Sequence, residues 1–472
     1  MQRERTSIFS EKIQCGRAIV APTLSEALGA ARETRCLEIG AGVARNTPRV
    51  FQNQFGAQPA IIVADANTFP AAGRIVADAF TAARHPVLES FVFSAPDLHA
   101  EHRFVAELEA ALKKHAAIPV AVGSGTINDL TKLAAHRADR PYLAVATAAS
   151  MDGYTAFGAS ITFQGSKQTF HCPAPVAVVA DLDVICAAPG EMNAWGYADL
   201  LAKVTAGADW IVADALGAEP IDPEAWGIMQ GRLRELVADA AGVRARNPAV
   251  IGRLVEGLML GGFAMQASKS SRPASGAEHQ FSHLWDMQHH THNGRAPSHG
   301  FKVGIGTLAV TALYERLLAR PLDELDIEQC CATWPDRNQW QAKARELLGD
   351  DEVATVAMQE IQAKAGDPAT LRSQLSRLRS IWPQLRGQLR EQLIPFVRLR
   401  EMLQTAGAPV EPEQVGITRE RLRRSFWQAF FLRRRFTVLD LAVRAGLLDS
   451  CVDEVFGPHG PWPIPVARPV SA

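Results

Sequence analysis

Short apolar runs alternate with amphipathic stretches through the first 190 residues of the chain. AIVAP (18–22), AIIVAD (60–65), VLESFVF (87–93), IPVAVGSG (118–125), PYLAVAT (141–147) and PVAVVAD (175–181) carry few charges and are rich in Val, Ile and Ala, the pattern of strands buried on both faces. Between most of them lie segments such as DLHAEHRFVAELEAALKKHA (97–116), whose helical periodicity predicts helices. Strand and helix in alternation require crossover connections, so the pattern predicts a mostly parallel sheet covered on both sides. GASITFQGSKQTFHCP (158–173) breaks that rhythm: two short runs flank a turn at GSK and predict a β-hairpin.

After about residue 190 the strand signals stop. EMNAWGYADLLAKVTAGADWIVADALG, PAVIGRLVEGLMLGGFAMQAS and FKVGIGTLAVTALYERLLAR read as long apolar helices, and the pattern stays helical to about residue 455. The expected architecture is an α/β nucleotide-binding domain, residues 1–189, followed by an all-α domain, residues 190–472. The Pro-rich end, GPWPIPVARPVSA, is expected to be loosely held. In the tail, RLRRSFWQAFFLRRRF combines aromatic residues with arginines; the pattern suits a helix that packs its Phe and Trp inward, with arginines at the rim.

Composition narrows the function. With 49 basic and 50 acidic residues in 472, the net charge of −1 gives no electrostatic reason to expect nucleic acid or an anionic membrane as partner. A small molecule is the expected partner. The N-terminal MQRERTSIFSEKIQCG has no apolar core of a signal peptide, and no run of about 18 uncharged apolar residues occurs, so a cytoplasmic location is expected. Seven cysteines, scattered without CxxC spacing, argue against a disulfide framework and a thiolate zinc site.

Two stretches carry chemistry. In AVGSGTINDLTKLAA an apolar strand runs through Gly123, Ser124 and Gly125 into a helix, which suits a pyrophosphate because backbone approaches closely and open N–H groups favour an anion. Asp65, at the end of an earlier strand, is placed to meet an adenosine ribose hydroxyl and to favour NAD over NADP. The order differs from GxGxxG, where the acidic residue follows the glycines. Residues 271–306 hold six of the 13 histidines. His279, with His283 one turn on, and His299 stand at two helix starts; Asp199 lies in a third helical segment with Lys203 at i+4. One carboxylate and two imidazoles with an open position is the composition of a catalytic divalent site. His289, His290 and His292, around an Asn-Gly, read as a solvated loop.

Taken in order, VGSGTINDLTK, ATAASMDGYTAFGAS, GYADLLAK, SRPASGAEHQFSH and SHGFKVGIG resemble the sn-glycerol-1-phosphate dehydrogenases, within the wider group of iron-type alcohol dehydrogenases, glycerol dehydrogenases and dehydroquinate synthases. The resemblance spans roughly residues 15 to 310 and implies a dehydroquinate synthase-like fold. It also implies interconversion of dihydroxyacetone phosphate and sn-glycerol 1-phosphate with NAD or NADP, and a homodimer. Asp199, His279 and His299 are then the expected ligands of one zinc or nickel ion. Gly123, Ser124, Gly125 and Asp129, with Thr147, Ser150 and Asp65, are the expected cofactor contacts. Asp152 and Lys203 are the expected catalytic residues; Asp152, Arg272 and Ser275 are expected to meet the substrate, and its phosphate is assigned to Arg272, Lys203 and the PASG segment. Ser124 departs from the three consecutive glycines usual in the wider group. A polyol dehydrogenase acting on an unphosphorylated substrate, a dehydroquinate synthase-like lyase and a binding protein without activity are the alternatives.

Overall fold

The computed structural model describes residues 21–96, 98–163, 166–349, 352–364 and 366–465. Six strands form one parallel sheet in the order β1-β8-β5-β4-β2-β3: β1 (Cys36–Gly40), β2 (Ala60–Asp65), β3 (Phe91–Phe93), β4 (Ile118–Gly123), β5 (Leu143–Ala146) and β8 (Ala177–Asp181). Their side chains alternate between two cores, as the two-residue period of a strand dictates. Ala60, Ile62, Val120, Val122, Leu143 and Val145 point to one face, with Val76 and Phe80 of the helix Arg74–Ala82. Ile61, Val63, Ala121, Ala144 and Ala146 point to the other, with Ile127, Leu130 and Leu133 of the helix Gly125–Arg137. Because both faces are covered, these strands read as continuous apolar runs.

The chain leaves β2 toward the outer strand β3 and leaves β4 toward β5, on opposite sides of the sheet. That reversal opens a crevice at the carboxyl ends of the adjacent strands β2 and β4, where open α/β sheets bind their ligands.

The hairpin is formed by β6 (Ala159–Phe163) and β7 (Ser166–Phe170), antiparallel; residues 164 and 165, at its turn, lie outside the described residues. Two strand expectations need correction, and one strand is unexpected. AIVAP is no strand where it is described, residues 21 and 22, and its first three residues fall outside the description. The sheet is completed instead by CLEIG, an edge strand of intermediate burial whose Glu38 holds Arg49 at 2.6 Å; that outward charge is what broke the apolar signal. In VLESFVF only Phe91–Phe93 is strand, and Val87 contributes an isolated bridge to Ala60.

After β8 the named elements are all helices among the described residues, with one isolated bridge between His292 and Arg295. The segment read as one helix over 191–217 is two, Gly190–Leu201 and Lys203–Ala215, meeting at Ala202. Pro248–Ser268 is long and apolar enough to cross a membrane by composition alone, with a mean hydropathy of 1.3, yet it is mostly buried within the protein, packed on the helix Gly190–Leu201 and the 152–154 turn. The helix Arg419–Phe430 turns Phe426 and Phe430 inward and leaves Arg423 and Arg424 in solvent. Phe426 meets Phe281 edge-on at 5.0 Å, and Ser425 accepts a hydrogen bond from the Trp285 indole, so the tail braces the helix Ala277–Met287. Trp462 is fully buried against Phe396 and Phe456, so it anchors the Pro-rich end, whose Pro463 and Pro465 are exposed.

Candidate metal centre and nucleotide crevice

Asp199 near the end of the helix Gly190–Leu201, His279 in the first turn of Ala277–Met287 and His299, first residue of the helix His299–Leu318, bring one ligand atom each within 4.8 Å of one another. Close helix approach makes this possible. A Cβ on Gly300 would stand 2.0 Å from the Trp195 carbonyl oxygen, and one on Gly306 would stand 2.5 Å from the Glu278 carbonyl oxygen. Only glycine lets the His299 helix lie so close to the helices bearing Asp199 and His279.

Around the three ligands the chain has buried a set of charges. Lys203 Nζ lies 2.7 Å from Asp152 Oδ2 and 2.8 Å from Asp199 Oδ1. The second oxygen of Asp199 accepts from the Asp152 backbone N–H at 3.1 Å. Burial draws the Lys203 ammonium down, but the two carboxylates outweigh it and hold the group charged above its ordinary value. Burial pushes Asp199 up, and Lys203 with the two imidazoles more than reverses this, leaving it well below the usual carboxylate range. Asp152 is raised, first by burial and then by the charge of Asp199.

Glu278, which sequence reasoning did not single out, completes the set. Its Oε1 stands 2.8 Å from His279 Nδ1 and accepts from the Gly276 N–H, while its Oε2 accepts from the Thr205 hydroxyl at 2.9 Å. A carboxylate on Nδ1 keeps the proton there and leaves the Nε2 lone pair for a metal. An acid in the first turn of a helix is common for dipole reasons alone, so nothing in its position marked Glu278 out. His283 stands with its ring 6.4 Å from His279 and 6.2 Å from His299.

The residues present fit a divalent ion. Asp199 and Glu278, both buried, and the less buried Asp152 set three carboxylates around one ammonium, Lys203, and the donor set of one carboxylate and two imidazoles suits zinc or nickel.

At the crevice, Gly123 ends β4 and Ser124 is the N-cap of the helix Gly125–Arg137 without capping it through its side chain. The first N–H groups of that helix are thereby left to face an anion. Thr147 donates its N–H to the Gly123 carbonyl, and Ser150 lies just beyond β5; both are buried. Asp65 ends β2 beside β4, with Oδ1 accepting from the N–H groups of Asn67 and Thr68. The Asp129 carboxylate accepts from the Ser160 N–H of the hairpin and from the Asn128 side-chain amide.

Arg272 and Ser275 are buried. Arg272 is 1% exposed, donates to the Asp209 carbonyl at 2.7 Å and has Glu219 3.4 Å from its Nε. His290 departs from the expected solvated loop: it is buried between the Val415 carbonyl and Arg421.

Comparison with known proteins gives the family. Residues 38–189 match the iron-containing alcohol dehydrogenase family. A glycerol-1-phosphate dehydrogenase [NAD(P)+] from Halalkalibacterium halodurans is 36% identical over 282 residues, covering 59% of this chain and 70% of the relative. Its counterpart from Geobacillus thermodenitrificans is 31% identical over 394 residues, covering 80% and 85%. Among solved structures, a probable glycerol dehydrogenase from Sinorhizobium meliloti superposes with a TM-score of 0.56 at 16% identity, over 89% of this chain and 97% of that one, a likeness of fold.

Proposed function

Because the chain belongs to the glycerol-1-phosphate dehydrogenase family, we propose that it interconverts dihydroxyacetone phosphate and sn-glycerol 1-phosphate, with NAD or NADP carrying the hydride. The observation that carries the reading is the convergence of Asp199, His279 and His299 in a nest of three carboxylates and one lysine. The reading divides the chain into a nucleotide-binding unit, residues 1–189, and a helical unit, residues 190–472, that holds the metal. Its location is read as cytoplasmic on the six described cysteines, all free thiols.

A divalent ion, zinc or nickel, held by Asp199, His279 and His299 would polarise the substrate carbonyl as a Lewis acid. The chain's own residues do the rest. Glu278 orients His279 and fixes the proton on Nδ1. Lys203, locked between Asp152 and Asp199, offers an N–H where negative charge grows on the substrate oxygen, and Asp152, raised by burial and by Asp199, can hold a proton or receive one at its carboxylate. The N–H groups after Gly123 and Ser124 receive the cofactor pyrophosphate, and Asp65 the adenosine ribose; Gly125, Asp129, Thr147 and Ser150 are assigned to the same cofactor wall.

The test is NADH oxidation with dihydroxyacetone phosphate, dihydroxyacetone and glyceraldehyde 3-phosphate offered in turn to protein loaded with zinc or with nickel. Turnover on the first substrate at least 10-fold above the others is expected. Equal turnover on dihydroxyacetone would point instead to a polyol dehydrogenase.

A further inference from the structure

The arginines of FLRRRF found no use in the reaction above, and their placement is unusual. Residues 433–435 form the link between the helices Arg419–Phe430 and Val438–Arg444. That link is fixed at both ends by buried Phe431 and Leu432 on one side and Phe436 and Thr437 on the other. Arg434 points out and pairs with Glu360. Arg435 points in: Nη1 donates to the Ser275 carbonyl at 2.5 Å and Nη2 to the Ser271 hydroxyl at 2.8 Å. It is thereby laid against the 272–274 turn, which carries Arg272.

Several buried donors at this turn have no acceptor. Arg272 is 1% exposed, and its Nε and Nη1 make no hydrogen bond; the Ser275 hydroxyl, 6% exposed, makes none either. Arg433 is partly buried, and no hydrogen bond or ion pair is found for it among the described residues. Against three guanidinium groups stand Glu219, 3.4 Å from Arg272 Nε and itself over a third exposed, and at longer range Glu278 toward Arg435 and Glu360 toward Arg433, the last already paired with Arg434. Burial and then the charges of Arg272 and Arg433 depress Arg435 to about 9, so the three cations feel one another. A mere tether between two loops has no need of three like charges, and a buried donor without a partner costs about 1–3 kcal/mol. Both penalties vanish when a tetrahedral oxyanion enters, because a guanidinium fork meets two of its oxygens at once.

We propose that Arg272, Arg433 and Arg435, with the Ser275 hydroxyl, form a binding recess for a phosphate group. Ser275 lies four residues before His279, on the segment that leads into the metal helix. The phosphate is therefore that of the substrate, a source that rests on the reaction proposed above, or a free phosphate bound beside it. Either source uses the same recess.

Calorimetric titration of the full-length protein with inorganic phosphate, at low ionic strength, decides the recess, and kinetics decide the source. Wild type is expected to bind phosphate, with affinity falling at least 10-fold in Arg433→Met and further in Arg435→Met. Arg433 makes no hydrogen bond or ion pair among the described residues, so its variant is the safer of the two, with unfolding by urea as the check on folding. If the substrate is the source, the ratio of kcat/KM for dihydroxyacetone phosphate to that for dihydroxyacetone falls at least 10-fold in the same variants. If a free phosphate is the source, phosphate binding is lost while that ratio holds. Wild type that shows no preference for the phosphorylated substrate would sink the proposed reaction but not the recess, which the titration tests by itself. Phosphate affinity that is equal in wild type and both variants, or that is absent in wild type, overturns the recess and leaves the arginines as a tether.

Discussion

At the crevice between β2 and β4 the chain offers a ligand mostly backbone: a strand end, two glycines, a serine that does not cap, and the open N–H groups of a helix. At the metal cluster it offers the opposite, Lys203 held between Asp152 and Asp199 and, on the far side of the His279 imidazole, a buried Glu278. The first kind of site costs the fold little, since helix termini leave those N–H groups open in any case. The second is expensive, because each buried charge forfeits its hydration and must be repaid by a partner or an ion. The nucleotide crevice should therefore tolerate substitution, while the metal cluster should respond sharply to the loss of any one charge.

The largest effect is expected at Lys203, the one ammonium shared by Asp152 and Asp199. Lys203→Met leaves two carboxylates buried side by side, and breaking a buried pair in this way costs about 3–5 kcal/mol. Urea denaturation in chelator should show that loss, and a saturating divalent ion should restore part of it. An unchanged unfolding midpoint would mean that water reaches the cluster and screens it.

Glu278→Gln removes a charge but keeps the shape. The loss of a carboxylate behind a ligating imidazole weakens metal binding by about 10–100-fold. Competition with a chromophoric chelator measures it. His279→Ala should abolish the site, and equal metal contents in His279→Ala and wild type would remove His279 from it.

These contrasts explain what the sequence made legible. The buried strands, the glycine turn and the helix starts at His279 and His299 are local patterns, and all of them can be read from spacing. Glu278 cannot, because its role depends on Thr205 and Gly276 arriving from other parts of the fold. Nor can β1, whose exposed edge dilutes the apolar signal with Glu38. His290 misled for the reverse reason: Asn-Gly marks a turn, but Val415 and Arg421, more than a hundred residues away, close over the ring.

A smaller effect tests the charged layer behind the metal helix. Asp209 accepts from the Ala277 and Val438 N–H groups and from the Tyr314 hydroxyl, yet burial and the charge of Glu278 push it up to about 7. A carboxyl raised in the folded state holds its proton there after the unfolded chain has lost it. Stability contributed by this group is therefore present near pH 4 and is lost as pH rises toward 7, at up to about 1.4 kcal/mol per pH unit. Urea midpoints at pH 5, 6, 7 and 8 should show a decline in wild type that is flatter in Asp209→Asn. Parallel profiles would show that Asp209 is ionised throughout.

The smallest effect belongs to the crevice, at Asp65. Its Oδ1 is already occupied by the N–H groups of Asn67 and Thr68, so at most the other oxygen is free to meet a ribose hydroxyl. The site is partly open to water, where two unit charges 4 Å apart interact by about 1 kcal/mol. Repulsion of a 2′-phosphate by Asp65 is thus worth a preference for NADH over NADPH of roughly 5-fold. Asp65→Asn keeps an oxygen for the turn and removes the charge, so the two dissociation constants, read by quenching of protein fluorescence, should converge. A preference that survives the substitution would take the discrimination away from β2 and assign it to the loop after β4, and the crevice would then read its cofactor through backbone alone.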